Sequence, residues 1–278
     1  MSRGHGRGRR ALLNGVGIAV ACVVAFPVFW MASTAFKPTR DILSFTPRVL
    51  VWPPTLEHFQ TAVTKPFFLD YLRNSLIVVC VAVVLSILTA ALAALAVARM
   101  RWRGRRAYLL IVMLAQLAPI EALLIPAFLI LRDAGLLDQL PALIVTYFVI
   151  TLPFTVWTLR TFVAAIPAEL EEAAMTDGCT RLGAYRRVVF PLLAPGVIAT
   201  SIFAFITAWN EFMFALVLMQ EQTKLTLPVW LSTFRTAFGT DWGGTMAAST
   251  LFTVPVLVFF LLVQRRLVSG LSAGAVKG

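Results

Sequence analysis

The sequence predicts an all-α integral membrane protein with six transmembrane helices. Hydrophobic residues make up 59% of the 278 residues and charged residues only 13%, whereas soluble domains carry about 45–50% and about 25%. Six stretches are long and apolar enough to cross a bilayer, which takes about 20 residues. So little charge cannot cover a water-soluble surface, and so many apolar residues exclude a disordered chain.

The six predicted spans follow one another without a polar linker or a low-complexity tract. Each is expected to be helical, because the bilayer core offers no water to backbone N–H and C=O groups. We therefore predict a single membrane domain over residues 1–278. The predicted spans are Ala11–Phe36, Asn74–Ala98, Ala107–Leu131, Leu140–Leu159, Ala194–Met219 and Thr245–Val263.

The first span is predicted to remain uncleaved. Arg7, Arg9 and Arg10 precede it, as in a secretory signal, and Ala19–Cys22 faintly resembles a lipoprotein cleavage site. The apolar run nevertheless continues to Phe36, whereas the apolar core of a signal peptide is about 7–15 residues long.

The distribution of basic residues predicts the orientation in the membrane. Two thirds of the 24 Lys and Arg residues lie in the N-terminal segment, the loops at 99–106 and 160–193, and the tail at 264–278. Lys and Arg are enriched in cytoplasmic loops, so both termini are predicted to be cytoplasmic. The net charge of +11 is therefore explained by basic residues that orient the protein in the lipid bilayer. Membrane lipid is an expected partner, and nucleic acid is not.

The sequence predicts no metal site and no disulfide. Cys22, Cys80 and Cys179 are far apart and lack metal-ligand spacing, and His5 and His58 are isolated. A membrane-embedded enzyme is disfavoured for the same reason, since neither a metal-ligand cluster nor a nucleophile–base pair is visible.

The predicted cytoplasmic loop at 160–193 is longer than a connection between two helices requires. Pro167 suits the first turn of a helix, and Gly178 is placed to end that helix in a left-handed conformation. The small residues Ala173 and Ala174 would allow close approach by a partner. The acidic residues in the early turns, where the helix dipole favours anions, are Glu169, Glu171 and Glu172.

A second short helix is predicted after Gly178. Thr180 can cap its start, Arg186 and Arg187 lie near its C-terminal end, and Pro191 is expected to stop it. The loop is thus predicted to be a helix–turn–helix outside the membrane. On physical grounds alone, a surface hairpin without any partner is equally compatible with this pattern.

These residues resemble the EAA loop of ATP-binding-cassette (ABC) importer permeases, whose pattern reads E-A-A-x3-G-x9-I-x-L-P. Two positions differ conservatively, because Val and Phe replace Ile and Leu. The residues that match the pattern are Glu172, Ala173, Ala174, Gly178, Val188, Phe190 and Pro191.

Three further segments are similar to carbohydrate importer permeases related to the smaller membrane subunit of the maltose transporter. They are Trp209-Asn210-Glu211, Met246–Ser249 and the tail that starts at Gln264. Together with the six-span layout, the resemblance covers essentially the whole chain. The Gly-rich tail is expected either to reach an ATPase interface, as the resemblance implies, or to be disordered.

The resemblance implies a non-catalytic permease subunit of a binding-protein-dependent sugar importer, working by alternating access in the bacterial plasma (inner) membrane. Its partners would be a cytoplasmic ATPase dimer, a second homologous permease and an extracytoplasmic sugar-binding protein. The chain contains no G-x-x-x-x-G-K-[ST] loop, so no cofactor is expected on it, and ATP and Mg would bind the partner ATPase. The expected coupling residues are Glu172, Ala173, Ala174, Asp177, Gly178 and Pro191.

Two carboxylates, Glu121 and Glu211, lie within the predicted spans. Ionisable groups in a membrane tend to face a cavity or the protein interior. One interpretation places Glu121, Asn210 and Glu211 on sugar hydroxyls in the translocation path, with Trp209 offering a ring face. The other gives them purely structural bonds. An alternative function is an ion- or proton-coupled secondary transporter with the two carboxylates as a proton relay, although such proteins often show internal repeats.

Overall fold

The structure, a computed structural model, describes residues 4–46, 48–49, 52–236 and 239–274. Almost all regular structure in this part of the chain is helical. In chain order the helices are α1 (Gly4–Ala35), α2 (Thr39–Ile42), α3 (Glu57–Thr64), α4 (Phe68–Arg99), α5 (Arg105–Leu117), α6 (Leu124–Asp133), α7 (Leu140–Ala165), α8 (Glu169–Thr176), α9 (Arg181–Ala184), α10 (Phe190–Trp209), α11 (Met213–Leu218), α12 (Leu227–Ser232) and α13 (Trp242–Gly274).

Shorter elements complete the described chain. Two 3-10 turns, Ile120–Leu123 and Gln222–Lys224, and a π-helical turn, Tyr185–Val189, lie between the helices. The strands β1 (Arg235–Thr236) and β2 (Gly239–Thr240) pair antiparallel, with Arg235 opposite Thr240.

The length and hydropathy of the helices confirm the predicted membrane architecture. Within the described residues, five helices are long and apolar enough to cross a bilayer: Leu12–Ala35 in α1, α4, α7, Arg181–Trp209 and Trp242–Gln264 in α13. A sixth span is possible if Arg105–Leu117 and Ile120–Asp133, which are bent by 97° at their junction, count as one.

The third predicted span, Ala107–Leu131, is therefore wrong as a single straight helix. Proline has no N–H, and its ring disfavours helical geometry at the preceding residue. Ala118, just before Pro119, adopts extended angles of φ −65° and ψ 130°. The helix breaks there, and the chain leaves in a new direction.

The fifth predicted span, Ala194–Met219, is displaced towards the N-terminus. The helix passes through α9 and the π-helical turn into α10 and ends at Trp209, after which α11 is a separate short helix. The sixth predicted span, Thr245–Val263, agrees with the apolar stretch Trp242–Gln264, and the helix α13 itself continues to Gly274. Residues 275–278 of the predicted tail lie outside the described residues.

The chain forms two compact units. The first comprises the chain up to Phe68 together with Leu231–Thr253, and the second comprises Leu69–Trp230 and the chain from Val254 onward. The single membrane domain stays a prediction.

In the first unit, the side chains of two lysines and one histidine make contacts with an aromatic ring and with backbone carbonyl groups. The Nζ atom of Lys37 lies 3.9 Å from the centroid of the Trp30 ring, and burial lowers the pKa of this lysine. The Nε2 atom of His58 lies 2.9 Å from the carbonyl oxygen of Lys37. The Nζ atom of Lys65 donates to the carbonyl oxygen of Thr233 at 2.9 Å.

The second unit contains a hydrophobic core that reaches the loop between α7 and α10. The side chains come from α4, α5, α7, the loop itself and α10, so the loop is packed onto the helices that flank it. The buried members are Ala90, Ala91, Ala94, Leu95, Val112, Val156, Leu159, Val163, Ile166, Tyr185, Val189 and Leu193.

Candidate functional site

The first helix of the loop, α8, forms where the sequence predicts it. The N–H of Leu170 donates to the carbonyl of Pro167, and those of Glu171 and Glu172 donate to Ala168. Acidic side chains occupy the first turn of α8, where the N–H ends of the peptide dipoles stabilise negative charge.

Gly178 ends α8, as predicted. Its φ is +89°, a left-handed conformation that glycine adopts without a Cβ penalty. Its N–H donates to the carbonyl of Met175 at 3.1 Å, and the N–H of Cys179 donates to the carbonyl of Ala174 at 3.0 Å. This pair of bonds is the Schellman ending of a helix, so the turn is a defined structure.

The second helix also begins as predicted, because the hydroxyl of Thr180 accepts the N–H of Gly183 at 3.1 Å. Its predicted end is wrong, since Pro191 lies in the first turn of α10 and the helix runs through it. The N–H of Phe190 bonds to the carbonyl of Tyr185 in the π-helical turn. This wider turn, just before Pro191, relieves the clash that a proline ring makes with the preceding helical turn.

An ion pair between Arg99 and Glu171 anchors the loop, and sequence reasoning missed it. Arg99 Nε lies 2.5 Å from Glu171 Oε1, and only 12% and 10% of the two side chains are exposed. Arg99 Nη2 also donates to the carbonyl of Ile166. The end of α4 is thereby tied to both the start of the loop and α8. In the sequence, the only indication of this pair is that Arg99 directly follows an apolar span and that Glu171 is one of three neighbouring acidic residues.

The opposite side of the loop is open. Glu172, Ala173, Asp177 and Gly178 are exposed and Ala174 is half-buried. The turn thus presents two carboxylates beside backbone without bulky side chains. Two exposed leucines flank this surface: Leu170 is 44% exposed and Leu182 is 73% exposed.

A groove of about 550 Å³ lies beside the turn. It combines small residues that leave space with two exposed arginines. The lining residues are Gly178, Cys179, Thr180, Gly183, Arg186 and Arg187. The surface can therefore receive a protein element that carries both apolar and acidic side chains.

The candidate substrate residues at the end of α10 have structural contacts in this chain. The indole of Trp209 is 1% exposed and stacks on Phe205, with 5.5 Å between ring centroids. Asn210 is exposed, and its Nδ2 donates to the carbonyl of Ile206 at 2.8 Å. The Trp209 ring therefore lies in the protein interior, with little face available to a sugar.

Glu211 caps the N-terminus of α11. Its two carboxylate oxygens accept the N–H groups of Phe214 at 2.8 Å and Ala215 at 3.2 Å. The Tyr147 hydroxyl donates to its backbone carbonyl at 3.2 Å. Glu121, in contrast, is exposed in the 3-10 turn that follows the bend. The geometry favours the structural interpretation for Glu211 and leaves Glu121 accessible.

If the chain is the sugar permease that the resemblance implies, replacing Glu211 with Gln is expected to leave the half-saturating sugar concentration for uptake unchanged within about twofold, since an amide oxygen still caps α11. Glu211→Ala removes the cap, which costs about 0.5–2 kcal/mol of stability. Uptake titrations and thermal unfolding of both variants would measure these effects. A rise of about tenfold in half-saturation for Glu211→Gln, equivalent to about 1.4 kcal/mol, would assign the carboxylate to the sugar instead.

Comparisons with known proteins give a consistent result. The family described as "Binding-protein-dependent transport system inner membrane component" matches residues 82–273. The chain is 52% identical to the diacetylchitobiose uptake system permease protein DasC of Streptomyces coelicolor, over 97% of this chain and 100% of that protein. It is 35% identical to the trehalose transport system permease protein SugB of Mycobacterium tuberculosis, over 91% of this chain and 92% of that protein.

Among solved structures, the chain is similar to one in the crystal structure of a bacterial ABC transporter involved in the import of the acidic polysaccharide alginate. The TM-score is 0.78 at 22% identity, and the similarity covers 95% of this chain and 98% of that chain. This likeness confirms the predicted fold class.

Proposed function

The chain belongs to the inner membrane component family of binding-protein-dependent transport systems. We propose that it couples a separate ATPase subunit to the passage of an oligosaccharide across the membrane. It is a multi-pass permease subunit of an ABC sugar importer. The observation that carries the coupling proposal is the loop around α8, which is fixed to the membrane helices on one side and open on the other.

The loop transmits movement because it cannot shift without the helices. Arg99 joins α8 to the end of α4, and Tyr185 and Val189 lie in the core shared with α7 and α10. Packed interiors transmit displacement with little compression. A partner that pulls on α8 therefore moves the flanking helices with it.

The open side of the loop binds a cytoplasmic ATPase dimer, which carries ATP and Mg. Glu172 and Asp177 hold the loop in the ATPase cleft, while Ala173, Ala174 and Gly178 let the two backbones approach closely. Pro191, at the start of α10, passes the movement into that span. Coupling requires that the ATPase fit the loop differently in its two nucleotide states, since a partner that binds both states equally shifts nothing.

A second homologous permease completes the membrane part. The side chains of α1 from Leu12 to Phe29 are all exposed, whereas Thr34 and Ala35 at its end are buried. A companion subunit or lipid covers the exposed stretch. The distribution of basic residues supports a cytoplasmic location for both termini and the α8 loop, and the opposite loops would meet an extracytoplasmic sugar-binding protein.

We propose an N-acetylglucosamine disaccharide as the substrate to test first, since the 52% identical relative is named for diacetylchitobiose uptake. Trehalose is the matched control, because the trehalose permease is less similar, at 35% identity. Glu121 and Asn210, whose side chains are exposed, remain candidates for contact with the sugar in the translocation path. Trp209 and Glu211 would support the structure of that path without touching the sugar.

Gentle extraction of the tagged chain from its native membrane should co-purify an ATPase subunit and a second permease. We expect uptake by this complex in proteoliposomes to require internal ATP. Mass spectrometry identifies the subunits, and radiolabelled diacetylchitobiose measures uptake. Transport by the chain alone, driven by an ion gradient and indifferent to ATP, would instead establish the secondary transporter.

A further inference from the structure

The turn that joins α4 to α5 carries a basic groove which the coupling function does not use. The groove has a volume of about 520 Å³ and is lined by Arg101, Trp102, Gly104, Arg105, Arg106 and Ala107. It combines three guanidinium groups and one indole within seven consecutive residues.

The arginines of this turn are free to bind an external anion. Arg101, Arg103 and Arg106 are exposed and Arg105 is half-buried. Residues 99–107 contain no Asp or Glu, and within the described part of the chain none of these four side chains forms an ion pair. Their neighbour Arg99 differs, because Glu171 neutralises it.

The groove lies between two apolar segments of the chain. It follows directly on α4, which is long and apolar enough to cross a bilayer, and α5 begins the bent pair that would form a further span. Trp102 is 42% exposed, and tryptophan side chains concentrate at the level of lipid headgroups. Below the groove, α5 leaves apolar side chains open for acyl chains, since Leu110, Ile111 and Leu114 are 57%, 64% and 55% exposed.

We propose that this groove binds the headgroup of an anionic phospholipid. Arg101, Arg105 and Arg106 would hold the phosphodiester, since guanidinium groups bind phosphate oxygens through paired hydrogen bonds, and Trp102 would pack beside the glycerol backbone. Only the choice of leaflet rests on the topology in the proposed function, which places the groove at the cytoplasmic leaflet. A bound lipid would fix the turn two residues beyond Arg99 and so support the anchor of the α8 loop.

The test counts lipids retained by the assembled importer. The complex is extracted from membranes that contain phosphatidylethanolamine and phosphatidylglycerol, and native mass spectrometry records the bound species. The variants are Arg101→Gln and the double variant Arg105→Gln with Arg106→Gln. Arg103→Gln is the matched control, because it removes the same charge from the same turn but does not line the groove.

Wild-type complex is expected to retain phosphatidylglycerol in preference to phosphatidylethanolamine. Each groove arginine lost should weaken retention about fivefold, and the double variant should approach the product of two such losses. Arg103→Gln should lose clearly less retention than either groove variant, because Arg103 does not line the groove.

Three outcomes would overturn the proposal. Equal loss in Arg103→Gln would show that net charge alone attracts lipid. Unchanged lipid retention with loss of the ATPase from the groove variants would assign the groove to the ATPase. Complete competition by soluble glycerol 3-phosphate would identify a free-anion site. A wild-type complex that contains no ATPase contradicts the proposed function, yet leaves the lipid count readable.

Discussion

Substitution of Gly178 by Val is expected to reduce ATP-driven uptake by about 10- to 100-fold, the range over which coupled sites in proteins commonly influence each other. A Cβ at this position would have no heavy atom within 4 Å, but the φ of +89° remains unsuitable for a β-branched residue. Strain of this kind costs about 1–3 kcal/mol. The turn relieves it by rotating, and α8 then no longer presents Glu172 and Asp177 together.

The chain contains a matched control for this substitution. Gly135 has a φ of +67° and also has nothing within 4 Å of a Cβ. Its N–H donates to the carbonyl of Arg132, and that of Leu136 donates to the carbonyl of Leu131, so the same Schellman bonds close both turns. Gly135→Val therefore imposes the same strain at a turn outside the coupling loop.

Membrane levels of both variants should match wild type within about twofold, because strain of 1–3 kcal/mol stays below typical protein stability. Immunoblotting of membrane fractions and radiolabelled uptake measure level and function separately. Gly178→Asn should keep intermediate activity, since Asn tolerates the left-handed region. Normal uptake by Gly178→Val, or equal loss in Gly135→Val, would exclude a special role of this turn in coupling.

The sequence allowed the spans and the loop to be predicted wherever local chemistry decides the structure. A run such as Leu140–Leu159 must be helical in a bilayer, whatever surrounds it, and the observed helix α7 continues from it to Ala165. The end of α8 at Gly178 and the cap at Thr180 depend only on residues within one turn. These features carry their own signal, so no partner in space was needed to find them.

Whether a proline breaks its helix could not be predicted from the sequence in the same way. Pro119 breaks its helix into pieces bent by 97°, whereas Pro191 lies within a continuous one. Pro191 follows the π-helical turn at Tyr185–Val189, whose buried Tyr185 and Val189 belong to the core. Packing against residues that are distant in the chain determines whether the helix continues, and a short segment of sequence does not reveal this packing.

The carboxylates illustrate the same limit. Glu121 and Glu211 look alike in the sequence, as single acids in apolar stretches, but one is exposed after a bend and the other caps a short helix. The Arg99–Glu171 pair joins residues 72 apart in the chain. Because such a contact depends on how α4 and α8 pack, no local pattern distinguishes Glu171 from its neighbours.

Replacing Glu171 with Gln is expected to uncouple the importer and to destabilise it. Breaking a buried ion pair leaves an uncompensated charge and costs about 3–5 kcal/mol, and here Arg99, which is 12% exposed, would face a neutral amide instead of a carboxylate. The loss falls on the contact that fixes α8 to α4. ATP hydrolysis by the assembled complex should therefore continue at a basal rate while sugar uptake falls. Parallel measurement of phosphate release, uptake and thermal unfolding gives all three quantities.

Glu169→Gln is the matched control, because it removes the same charge from the exposed first turn of the same helix. Only the helix-dipole interaction is lost there, about 0.3–1 kcal/mol. The double variant Arg99→Gln with Glu171→Gln should recover part of the stability and of the uptake, since no buried charge is left and two amides can still bond. If Glu171→Gln behaves like Glu169→Gln in both assays, the pair contributes charge to the helix without anchoring it. If the double variant is worse than either single one, the loop depends on the charges themselves.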